Sequence, residues 1–244
     1  MDKLKVIQTF SGIDMRNIWR DELLSWILGM PVVVALLIRW GLPLILETIG
    51  DYLEQDLLSH IPVLAGYFIL LIAPMAAGMI VGFLMLDQRD NNTYTVIKVT
   101  PISTYTYFLY TLLMPLIAGF LITFISFYIA GLGNVGFAGI LISSLVASML
   151  SPLSGLTMAV FAENKVQGFA LIKGSIILWI PPIIAYFMKP AWEIVFGLDP
   201  LYWPCKIYQG VLIGSSFNWV YVLSGALYIG NLIFLLLRRF RKIM

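Results

Sequence analysis

The side chains of this sequence that could carry chemistry are few, and their placement rules out most of it. His60 is the only histidine and Cys205 the only cysteine. A zinc site needs three or four convergent His, Cys or carboxylate ligands, so no metal site is expected, and an intramolecular disulfide is excluded. The stretch ISSLVASMLSPLSG sets Ser144, Ser148 and Ser151 on one helical face. A serine nucleophile works only beside a base, and none accompanies these, so no catalytic residue is assigned. The pattern GxxxxGK[ST] is absent, so the chain has no phosphate-cradling loop of that kind. What remains is a set of mixed-charge elements: Asp14, Arg16, Arg20 and Asp21 near the start, Asp87, Arg89 and Asp90 in LDQRDNNTYTVIKVTPIS, and Glu163 and Lys165 in AENKVQGFALIK. Short polar elements of this sort between apolar runs suit contact with a partner protein.

The elements that position them follow from composition. Of 244 residues, 60% are hydrophobic and 11% charged, and mean hydropathy is +0.93. A soluble core could not hide that much apolar surface, so the chain is an integral membrane protein. A net charge of +2 gives no reason to expect nucleic acid. About 20 apolar helical residues cross a bilayer, and six runs qualify: Leu23 to Leu46, Ile61 to Leu86, Thr104 to Ala130, Phe137 to Phe161, Leu171 to Met188 and Trp219 to Leu237. The fold class expected is all-α, a single permease-like domain over residues 1–244 with an interfacial leader (1–22), six spans (23–237) and a basic tail (238–244). No cleavable signal peptide is expected.

Orientation follows from the 15 lysines and arginines. With both termini cytoplasmic, Lys3, Lys5, Arg16, Arg20, Arg89, Lys98, Lys165, Lys173, Arg238, Arg239, Arg241 and Lys242 lie inside, and only Arg39, Lys189 and Lys206 outside. That bias fixes a plasma-membrane topology. Apart from Lys173, counted with the inner residues, the spans hold one ionisable residue of the Asp, Glu, Lys, Arg or His type, Arg39. Ion-coupled pumps place such groups in the bilayer, so ion coupling is not expected. Arg39 is expected to snorkel to the outer surface. Gly78 and Gly82 share a face of the second run, and with the serines they suit close helix packing. A secondary expectation makes Arg39, Ser144, Ser148 and Ser151 the polar lining of a passage.

Pro101 removes Thr100 from helical geometry and Ser103 can cap the third span. The leader mixes Leu4, Ile7, Phe10, Ile18 and Trp19 with basic residues, as a helix lying in the interface does. In the outer segment KPAWEIVFGLDPLYWPCKIYQGVLIGSSFN, the rings of Trp192, Tyr202 and Trp203 suit the headgroup level.

Asp87, Gln88, Arg89, Asp90, Thr93, Thr100, Pro101 and Ser103, in that order after a second span, resemble the charged bend ending in T-P-x-S of permease subunits of type 2 ATP-binding-cassette (ABC) exporters. GIDMRNIWRDELL, followed by Pro31, Arg39 and Pro43, is similar to the branch of fluoroquinolone and multidrug export permeases. AENKVQGFA is similar to that family's second inner loop. Asn91 and Asn92 depart from it, where Glu and Gly are common. The resemblance covers essentially the whole chain. It implies a transport subunit with no ATPase site of its own and no bound cofactor. ATP and Mg would reside in a partner ABC ATPase, and a second permease, identical or related, would complete the pathway. It further implies that Asp14, Arg16, Arg20, Asp21, Asp87, Arg89, Asp90, Thr93, Thr100, Pro101, Ser103, Glu163 and Lys165 couple to the ATPase, and that short re-entrant helices precede the last span. The cargo would be a hydrophobic or amphipathic compound, drug-like, peptide or lipid. The alternatives are a permease for self-immunity to an antimicrobial peptide and a membrane scaffold that transports nothing.

Overall fold

The computed structural model describes residues 3–49, 55–91, 104–132, 135–212 and 218–243, and among these every regular element is helical. A leader helix, Lys3–Arg20, is followed by six helical spans long and apolar enough to cross a membrane. The all-α, six-span expectation therefore holds.

Leader and first span meet at a sharp corner. Asp21 leaves the helical region (φ −94°, ψ 111°) and its carboxylate accepts from the Leu23 and Leu24 N–H groups, capping the first span at Glu22. The Ser25 hydroxyl donates back to the Ile18 carbonyl (2.8 Å) and holds the corner shut. Asp14 and Ile18, one turn apart, are the leader's buried residues in its described part, while Ile13, Met15 and Trp19 are exposed. An apolar outer face beside exposed Arg16 and Arg20 suits a helix at a membrane interface.

The second span, Gln55–Asp90, is the centre of the bundle. Its apolar window is 83% buried, against 22% for the first span, 28% for the third and 17% each for the fifth and sixth. Its partner is the fourth span, Phe137–Ser148 and Leu150–Phe161, and small residues set the separation. A Cβ on Gly155 would stand 2.9 Å from the Gly78 carbonyl oxygen, and one on Gly82 would stand 2.7 Å from the Met158 sulfur. A Cβ on Gly78 would overlap Ser154 and the Ser151 carbonyl. The interhelix gap is thus the width of bare backbone, as in small-residue membrane packing. The fourth span breaks at Met149, three residues before Pro152, whose ring supplies no N–H to the turn.

The structure corrects several element ends. Asp87 to Asp90 are the last turn of the second-span helix, not a loop. The fifth span starts at Lys165 rather than Leu171, so Lys173 lies well inside its helix. That span tightens to a 3₁₀ turn over Ile176–Trp179 and restarts at Ile180 with Pro181 and Pro182 in its first turn, which places the expected proline break. The sixth span runs on to Ile243, so the basic tail is helix. There Phe240 is buried against Phe108, Arg241 lies over the Phe108 ring and Arg239 over Phe161.

Between the fifth and sixth spans lie short helices, Pro190–Glu193 and Tyr202–Leu212, joined by a 3₁₀ turn. Tyr202–Leu212 wedges among the spans: a Cβ on Gly66, Gly139 or Gly225 would collide with Tyr208, Val211 or Trp203. Tyr202 and Trp203 are therefore buried in the bundle instead of facing headgroups, whereas Trp192 is exposed.

Candidate functional site: the basal polar cluster and a membrane cleft

At the end of the bundle that carries both termini, here the basal end, side chains from four elements converge. Lys165, in the first turn of the fifth span, places its ammonium 2.9 Å from Asp87 and 3.8 Å from Asp21. One cation thus joins the cap of the first span to the last turn of the second. All three side chains are about one-third exposed, which limits the bridges to about 0–1 kcal/mol each and leaves them breakable. Arg89 donates to the Ala162 carbonyl (3.1 Å), the C-cap residue of the fourth span, where a cation also meets the negative end of the helix dipole. Next to it, Tyr107 of the third span donates to Gln88 Oε1 (2.8 Å). Asn164 caps the fifth span by accepting from the Gln167 N–H, and Gln167 Oε1 accepts from the Glu163 N–H, a reciprocal arrangement close to a capping box.

Of the residues expected to couple to a partner, Asp21, Asp87 and Lys165 are therefore joined by direct contacts, and Arg89 is bound to the Ala162 carbonyl. Arg16, Arg20, Asp90 and the Glu163 side chain point outward. Thr93, Thr100, Pro101 and Ser103 lie outside the described residues. Asp14 is turned inward: it is 8% exposed, and Tyr110 of the third span donates to its Oδ2 at 2.5 Å. Burial raises the Asp14 pKa, and the Tyr110 hydrogen bond offsets part of that rise. The sequence reading missed Tyr107 and Tyr110; the available signal was two tyrosines one turn apart at the start of a span, each needing a hydroxyl partner once buried.

The residues expected to line a passage are elsewhere. Arg39 sits in a π-helical turn, Leu37–Gly41, and donates to the Ile129 carbonyl (3.1 Å) at the far end of the third span. Gly131, at φ +60°, ends that span, and a Cβ there would stand 2.9 Å from the guanidinium. Ser144, Ser148 and Ser151 are fully buried among helices. An apolar cavity of about 320 Å³ lies instead between the second, fourth, fifth and sixth spans, lined by residues that include Met75, Met79 and Leu232. Ser154, Thr157 and Ser175 also face it, but each hydroxyl donates to a carbonyl of its own helix, so the wall behaves as apolar.

The distal end is held by aromatic and buried polar contacts. His60 Nδ1 lies 2.6 Å from the Tyr186 hydroxyl, and Tyr67, Tyr186 and Tyr208 meet edge to face. Lys206 donates to Glu193 (2.8 Å) in a bridge whose carboxylate is 6% exposed. Asp199 accepts from the Leu201 N–H, and burial lifts its pKa to about 6.

This architecture has counterparts among known proteins. The family model described as fluoroquinolones export permease protein Rv2686c-like matches residues 14–237. Two curated relatives, fluoroquinolones export permease proteins Rv2686c and MT2760 from two strains of Mycobacterium tuberculosis, are each 28% identical over 240 residues, 97% of this chain and 94% of theirs. No solved structure matches. A match that runs from the buried Asp14 of the leader to the last apolar turn of the sixth span leaves one assignment: the chain belongs to the Rv2686c-like family of fluoroquinolones export permeases.

Proposed function

We propose that this permease is the membrane half of an ATP-driven exporter of drug-like amphipathic compounds, energised by a separate ABC ATPase docked on its basal end. The observation that carries this reading is the Lys165–Asp21–Asp87 junction with Arg89 on Ala162: one polar cluster touches the ends of the first, second, fourth and fifth spans. Pressure on that cluster from a closing ATPase reaches every one of those helices at once, and breakable contacts let them shift. The relatives' names support drug export. The basal end faces the cytoplasm, in keeping with the lysine and arginine bias. A second permease, identical or related, covers apolar faces left open on the peripheral spans, and ATP and Mg belong to the ATPase.

The test is mild-detergent purification of the tagged chain from its host, with mass spectrometry of co-purifying subunits and an ATP hydrolysis assay. Recovery of an ABC ATPase with drug-stimulated turnover is expected. Repeated recovery of the chain without one, under conditions that keep other ABC complexes intact, rejects the reading.

A further inference from the structure

Asp14 poses a problem that ATPase coupling does not solve. A buried carboxylate is costly unless a cation accompanies it or a proton neutralises it. Among the described residues no Lys or Arg ion-pairs with Asp14, and its one side-chain partner is the neutral Tyr110 hydroxyl. A proton relieves that burial, in keeping with the raised pKa of Asp14, and a cation lodged beside the carboxylate would relieve it equally.

The space beside it is shaped for one. Asp14 stands at the basal rim of a cleft between the first, second and third spans, with Gln88 and Tyr107 also on that rim and Leu28, Ile80 and Met114 among the apolar residues lining its body. The cleft's open volume is about 90 Å³, room for the carbon chain that carries an amine. One flank is formed by Met15, which is 46% exposed. Methionines at positions 15, 85 and 114 line it, and such side chains adapt to varied apolar partners.

We infer that the Asp14 cleft binds the ammonium group of an amphipathic amine, whose carbon chain lies between the first, second and third spans. Asp14 accepts from the ammonium while Tyr110 holds the carboxylate in place, and the chain replaces lipid contacts with Leu28, Ile80 and Met114. This deepens the export reading by naming a cargo chemistry. Binding needs no ATPase, so a failure here leaves the export reading standing, and a failure to find an ATPase leaves this site standing.

The test uses the full-length permease in phosphatidylcholine nanodiscs, with dansylcadaverine as the charged probe and its N-acetyl derivative as the neutral one, read by fluorescence anisotropy against empty nanodiscs. The charged probe is expected to bind at least about tenfold more tightly than the neutral one, the scale of a hydrogen bond to a charged partner. Asp14→Asn retains an acceptor for Tyr110 but lacks the charge, and is expected to abolish that preference. Tyr110→Phe, which frees Oδ2, is expected to keep or sharpen it. A purely structural Asp14–Tyr110 tether predicts instead that both variants lose thermal stability with no change in the charged-to-neutral ratio. Equal binding of the two probes to the unmodified protein overturns the inference without recourse to any variant. Adding phosphatidylethanolamine separates two sources of the ammonium: competition assigns the site to a lipid headgroup, and unchanged binding assigns it to a free amine.

Discussion

The second span is held at its two ends by opposite kinds of chemistry. At the basal end, Asp87 and Arg89 reach Lys165 and a backbone carbonyl through side chains that water still touches. At the distal end, Tyr67 lies in a nest of rings and Tyr208 fits against Gly66 at a distance no side chain could share. Packing of the second sort is stiff, because a close-packed interior has few alternative arrangements. Ion pairs a third exposed have many. The contrast describes a bundle pinned distally and free to rearrange where a partner would push.

That contrast can be broken from either side. The largest effect is expected from Trp203→Ala, which removes a buried ring lying on Gly225 and its indole bond to the Gly197 carbonyl (3.0 Å). A loss of about 3–5 kcal/mol, seen as failed purification or a sharply lowered melting temperature in detergent, follows from the cavity and the orphaned carbonyl. Next is Lys206→Met, which strands the Glu193 carboxylate; about 3 kcal/mol should be lost and largely recovered in the double variant with Glu193→Gln. A smaller effect is expected of pH. The native pKa of Asp199, about 6, stands above its ordinary 3.8, so the native state binds the proton more tightly than the unfolded chain. Its favourable contribution is complete below pH 3.8 and lost as pH rises through 6, and Asp199→Asn should flatten that part of the melting-temperature profile. The smallest stability change belongs to Lys165→Ala, about 1 kcal/mol or less. If that variant nevertheless lowers drug-stimulated ATP turnover more than it lowers expression, the basal contacts transmit and do not merely hold. An equal fall in both would erase the distinction between the two ends.

The six spans were legible because bilayer thickness demands long apolar runs, and nothing else in a sequence produces them. Their ends were not. Hydropathy drops after Leu86 at the end of the second span and is low again from Ala162 to Ala170 before the fifth, yet both helices continue through polar residues, since a helix needs only its backbone bonds and a cap such as Asn164. Cluster membership was half legible. Asp21, Asp87 and Lys165 announce themselves as charges among apolar neighbours, but the partners of Arg89 and Arg39 are the carbonyls of Ala162 and Ile129, and a backbone atom leaves no mark on residue type. Tyr202 and Trp203 read as headgroup rings because amphipathic side chains look alike whether they face lipid or fill a wedge.

The bare backbone where the second span meets Gly155 and Met158 bears on how the protein is made. The second span leaves the ribosome two helices before the one that fills its groove. A strip of glycine in a continuous helix can wait in lipid without penalty, because every peptide group it shows is already hydrogen-bonded along the helix. Assembly of the bundle core is therefore a late event in biosynthesis, timed by the arrival of the fourth span and not by insertion of the second.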